Sequence, residues 1–110
     1  MNLRQKIFAR DTACWHCGTQ DGLVLHHRAN RGIGGSKAQD QAANLILVCQ
    51  AYNFAMESDP KVAKLARERG HKLSRYTGYD TPILDVPQGI WFILTNDGGK
   101  VRSKPLHFRN

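Results

Sequence analysis

The chain has 110 residues, 41% of them apolar, and a formal net charge of +7. That length suits one domain with a modest core. It contains no apolar run long enough to span a bilayer, and Met1–Phe8 alternates charged with apolar residues where a secretory signal would have its apolar heart, so we expect a cytoplasmic protein with no membrane partner.

The charge is uneven. Residues 1–59 carry six Lys/Arg against five Asp/Glu, whereas residues 60–110 carry ten against four. A phosphate backbone is the natural partner for such a surface, and a solvated, solubilising face is the plainer reading of the same residues. Three cysteines are an odd number, which fits thiol or metal chemistry in a reducing compartment better than a disulfide framework.

In chain order, residues 2–10 read as a short helix, with Leu3 and Ile7 four apart. Cys14 and Cys17 form a Cys-x2-Cys knuckle backed by Gly18. Such a turn directs both sulfurs at one point, and Cys49 is a candidate third ligand for a structural Zn2+. The position where a fourth cysteine would stand holds Tyr52, whose phenol stays protonated near neutrality. Either the three thiols bind zinc, with His71 or His107 as other imidazoles in the chain, or they pack as small apolar groups with the Tyr52 ring beside them.

Residues 23–27 read as a short strand ending in His26 and His27, which face opposite sides if the strand is regular. Residues 28–43 form a long polar loop with glycines at 32, 34 and 35 and with Arg28, Arg31 and Lys37, residue types suited to clamping phosphate. Asn44 opens the apolar run Leu45–Val48, read as a buried strand. Residues 50–58 follow as a helix. Asn53 and Glu57 are four apart on it and share one face, so both can point at the spot to which the 23–27 strand delivers an imidazole. Two or three N/O ligands around one point describe an open metal site.

Asp59-Pro60 is a helix start, with Asp as N-cap and Pro at the first position. That helix runs to about Arg69 and stops at Gly70, with Val62, Leu65 and Ala66 on its apolar face and Lys61, Lys64, Arg67 and Arg69 elsewhere. Residues 71–89 look irregular apart from a short strand at Ile83-Leu84. Residues 90–94 form a strand that we expect to bury Trp91, and Asn96-Asp97-Gly98-Gly99 turns it into Lys100–Arg102.

Taken together, Cys14-Trp15-His16-Cys17-Gly18, Leu25-His26-His27-Arg28, Arg31 to Ser36, Asn44 to Cys49, Asn53 and Glu57-Ser58 resemble the HNH endonucleases, the ββα-metal nucleases. The resemblance covers residues 11–59, about half the chain, and the 60–110 extension is similar to that of small phage-encoded members. It implies an α+β fold with a ββα-metal core, an N-terminal Cys knuckle, an extra basic helix and a small C-terminal β-hairpin, all in one domain.

It also implies roles. His26 would be a metal ligand and His27 the general base, and the Asn44 amide would hydrogen-bond across the long loop to hold the base-bearing strand. Asn53 stands where many members have a second metal-binding histidine, with Glu57 as a further ligand. Oxygen-rich donors favour Mg2+ or Mn2+, with Ni2+ also able to bind. The expected activity is metal-dependent hydrolysis of a DNA phosphodiester, nicking one strand. The alternative from another class is a DNA-binding or phage packaging-associated module that keeps the scaffold without cleavage; the missing fourth knuckle ligand and the asparagine at position 53 speak for it.

Overall fold

A computed structural model of the protein describes residues 1–30, 40–74 and 77–106. The fold is α+β, with three α-helices, a two-stranded sheet and a three-stranded sheet. Among the described residues, no helix is long and apolar enough to cross a membrane.

Helix α1 spans Leu3–Asp11. Asn2 caps it through a capping box with Gln5, so two of the orphan N–H groups at its start are satisfied. It buries Ile7 against Ala42, Leu45 and Leu47. Its last turn is fixed by charge as well as by packing. Arg10 pairs with Asp11 at 2.6 Å with both side chains almost wholly buried, and Asp11 accepts from the Leu47 amide at 3.0 Å. Arg10 also donates to the Ala42 and Leu45 carbonyls.

Strands β1 (Leu23–His27) and β2 (Leu45–Cys49) pair antiparallel, with His26 opposite Ile46 and His27 opposite Leu45. Strand β2 is buried from Leu45 to Val48 because α1 covers one face and the main core the other. Helix α2 (Gln50–Ser58) follows β2 directly and buries Tyr52 and Met56. The Cys49 sulfur caps it, accepting from the Tyr52 amide at 3.4 Å.

Helix α3 (Pro60–Glu68) is capped by Asp59. Gly70 ends it at φ +76°, where a Cβ would lie 2.1 Å from the Pro82 carbonyl oxygen, so the turn requires glycine. The chain then runs back along β1, where Leu73 donates to the Arg28 carbonyl at 2.7 Å. The second sheet is β3 (Ile83–Asp85), β4 (Ile90–Leu94) and β5 (Lys100–Arg102), antiparallel in that order. Its core-facing residues are Ile83, Phe92 and Leu94, and Trp91 is only half-buried. The expected burial of Trp91 is therefore corrected: strand alternation puts Phe92 and Leu94 inward and turns Trp91 toward the other face.

Candidate functional site

Two side-chain clusters stand out, one on each side of α2. The first is the thiol cluster. The sulfurs of Cys14, Cys17 and Cys49 all lie within 4.8 Å of one another, and those of Cys17 and Cys49 are 3.9 Å apart. Three thiol sulfurs at this spacing can bind a metal ion. Cys49 sits at the positive end of α2, where a negative ligand is favoured. Cys14 is buried, Cys49 intermediate and Cys17 exposed, so the cluster opens to solvent on one side.

Tyr52 does not complete it. Its ring stacks on His16, with centroids 4.1 Å apart and planes 9° from parallel. Its hydroxyl donates to His71 Nδ1 at 2.6 Å. Burial raises the phenol's pKa, so Tyr52 stays a neutral donor. The His71 donor pattern is settled by its other nitrogen. Nε2 meets the Leu84 carbonyl at 2.8 Å, and a carbonyl only accepts, so Nε2 carries the proton and Nδ1 offers its lone pair to Tyr52. His71 is fully buried, and burial lowers its pKa to about 3. Of the other imidazoles considered for the thiols, His71 is thus committed to Tyr52, and His107 lies outside the described residues.

The second cluster joins β1, α2 and the 70–73 segment. His26 is 4% exposed. Its Nε2 lies 3.0 Å from the His71 carbonyl, so Nε2 donates and Nδ1 is left with the lone pair that a metal would use. Burial lowers its pKa to about 4, and the Lys72 ammonium, the Glu57 carboxylate and the Asn53 side chain lie near enough to act on it as well. Burial therefore holds His26 neutral at physiological pH, as a ligand must be. Glu57 is exposed, and its Oε1 accepts from Lys72 Nζ at 3.2 Å. The chain thus brings His26, Asn53 and Glu57 together, and adds a cation, Lys72, that sequence reasoning did not single out. His26, Asn53 and Glu57 form a donor set of one neutral imidazole and two oxygens, which fits a divalent ion with open positions.

His27, on the other side of β1, is partly exposed. Its Nε2 lies 2.7 Å from Asp40 Oδ1, which fixes the ring's orientation and leaves Nδ1 as the basic nitrogen. Asp40 was also missed in the sequence; its only local signal is a carboxylate at the far end of a glycine-rich loop. Asn44 is fully buried. Its Oδ1 accepts from the Ala29 amide at 2.8 Å and its Nδ2 donates to the Ala29 carbonyl at 3.1 Å, while its own carbonyl accepts from the Arg28 amide. The amide thus cross-links the two ends of the long loop immediately after His27.

Arg28 is corrected. It was expected to contact DNA phosphate, but it is fully buried. Its guanidinium donates to four backbone carbonyls: Gly70 at 2.9 Å, Ala43 at 3.0 Å, Tyr79 at 3.0 Å and Thr81 at 2.7 Å. Burial, aided by the Arg10 charge, lowers its pKa to about 9, so it remains a cation. Four fixed acceptors leave no donor fork for a phosphate. Arg31 and Lys37, the other expected phosphate contacts, lie outside the described residues. On α3, Lys61, Lys64 and Arg67 are exposed, although Lys64 pairs with Glu68 at 2.7 Å and Arg69 turns inward to His16.

Comparison of the chain with protein-family models, curated proteins and solved structures found no match.

Proposed function

We propose that the protein is a metal-dependent DNA endonuclease of the HNH, or ββα-metal, type that nicks one strand, with the β1–β2 ribbon and α2 as its core. The observation that carries this reading is that buried His26 on the ribbon, its Nε2 held by the His71 carbonyl, lies within electrostatic reach of Asn53 and Glu57 on the helix. An amide and a carboxylate 27 and 31 residues beyond the neutral imidazole are thereby its neighbours.

A divalent ion such as Mg2+, Mn2+ or Ni2+, held by His26, Asn53 and Glu57, would supply positive charge against the phosphate and the departing 3′-oxygen. The protein's own groups do the rest. The His71 carbonyl keeps His26 in the tautomer that presents Nδ1. The Asp40 carboxylate orients His27 and stabilises the imidazolium formed when Nδ1 takes a proton from the attacking water. Asn44 holds the end of β1 so that His27 is not displaced. The oxygen of that water bonds to phosphorus as the P–O3′ bond breaks. In the thiol cluster, Zn2+ on Cys14, Cys17 and Cys49 would be structural, tying the knuckle to the start of α2.

The test is plasmid nicking with Mg2+, Mn2+ or Ni2+, with and without EDTA, comparing the wild type with His27→Ala. Nicking that needs metal and falls sharply in the variant is expected. Equal nicking by both proteins removes the base assignment, and no nicking with any metal removes the activity. A second reading, a DNA-binding or phage packaging-associated module without cleavage, draws on the Lys72–Glu57 pair, in which an internal cation already neutralises one would-be ligand. DNA binding without nicking would favour it.

A further inference from the structure

We infer that Lys72 is a positioning residue that competes with the divalent ion for Glu57: its ammonium holds the carboxylate in the metal-free protein and must give it up when metal binds. This rests on the reading of His26, Asn53 and Glu57 as a metal site.

The geometry is specific. Lys72 follows His71, whose carbonyl orients His26, so the same turn of chain that fixes the imidazole also sets where the ammonium starts. The Lys72 side chain is only 17% exposed whereas that of Glu57 is 54% exposed. The lysine is therefore the anchored member, its stem laid along the protein with the charged head delivered to the carboxylate, and the glutamate is the member free to turn. Both charges act on His26, which places ammonium, carboxylate and imidazole around one point. An ammonium 3.2 Å from Glu57 Oε1 occupies a position from which a divalent ion would repel it. Metal loading thus exchanges one ionic contact of Glu57 for another, and the net affinity is lowered by the contact given up. Gly70, where a Cβ would lie 2.1 Å from the Pro82 carbonyl oxygen, forms the turn that leads from α3 to Lys72. The arrangement gives a site whose unloaded form is already charge-balanced, with no exposed carboxylate left unneutralised beside a phosphate.

The experiment is calorimetric titration of the full chain with Mn2+ alone, with no nucleic acid present. The proteins are the wild type, Lys72→Met, Glu57→Gln, the double variant and His26→Ala. Lys72→Met keeps the stem and removes the charge. It is expected to tighten His26-dependent Mn2+ binding about twofold to fivefold, the scale of one partly exposed ion pair. The double variant is expected to lose that gain, because the freed carboxylate is what the metal acquires. Unchanged or weaker binding by Lys72→Met overturns the inference. So does an equal gain in the Glu57→Gln background, which would make the effect general repulsion rather than exchange at Glu57. If neither the wild type nor Lys72→Met shows Mn2+ binding that His26→Ala removes, the metal site itself fails, and the nuclease reading fails with it. Retained His26-dependent binding with no Lys72 effect sinks only this inference.

Discussion

Arg28 should behave as an internal strut. Its guanidinium donates to the Gly70, Ala43, Tyr79 and Thr81 carbonyls, and it ties the loop base, the end of α3 and the 79–81 turn to one point. Arg28→Met keeps most of the volume and removes every donor. A buried acceptor left without a partner costs about 1–3 kcal/mol; the Gly70 and Ala43 carbonyls lose a buried bond and those of Tyr79 and Thr81 a half-buried one, although the variant also escapes the cost of burying a charge. These opposing effects leave a net loss of about 4 kcal/mol, and for a domain of this size that lowers Tm by roughly 15 °C. Arg28→Lys should fall between, since one ammonium cannot span four acceptors. Thermal and urea unfolding followed by circular dichroism read the loss directly. If Arg28→Met unfolded at the wild-type midpoint but bound DNA more weakly, the strut account would be wrong and the residue would be a phosphate contact after all.

Other consequences can be checked. Asp40→Asn should lower the nicking rate by about 10²-fold while shifting stability by less than about 1 kcal/mol, because the His27–Asp40 pair is partly exposed; a wild-type rate would remove Asp40 from the mechanism. The buried imidazoles of His71 and His26 have folded pKa values of about 3 and about 4, below the unfolded value near 6.5. Between pH 6.5 and about 3 the unfolded chain therefore binds protons that the folded chain refuses, so their stability contribution is complete above pH 6.5 and is lost as pH falls. For His71 the loss is on the order of 5 kcal/mol. Ring proton NMR shifts of both should stay flat from pH 8 to 5, and a titration near 6.5 in either would contradict the burial argument. Purified protein should carry one zinc per chain, and Cys14→Ser should lose it; a trace of zinc in the wild type would mean that the thiols simply pack.

The regular elements were legible because their signals are local. Leu45–Val48 is a short apolar run, Asp59-Pro60 is a start signal, and the glycine-rich turn before Lys100 closes a hairpin. The helix carrying Asn53 and Glu57 was legible for a related reason: their i, i+4 spacing falls directly after a buried strand. What was not legible arises from irregular chain. Asp40, Lys72 and the four acceptors of Arg28 come from segments without periodicity, placed only by long-range contacts. Arg28 shows the difficulty most plainly. Next to two histidines and before a glycine-rich loop, an arginine reads as outward-facing, and nothing nearby in sequence shows that residues 79–81 will enclose it with carbonyls. The hydrogen-bond partner of Tyr52, His71, follows from how α3 ends rather than from any motif.

Tyr52 also constrains how this chain can change. Replacing it with cysteine looks like a one-step route to a four-thiolate zinc site. Yet the same step removes the hydroxyl that occupies His71 Nδ1, stranding a lone pair in the interior beside the carbonyl that steers His26. A gain in zinc affinity would thus come with a loosened His26 imidazole unless position 71 changed as well. The two positions are expected to vary as a pair, and a library randomising either one alone would recover few folded, active variants.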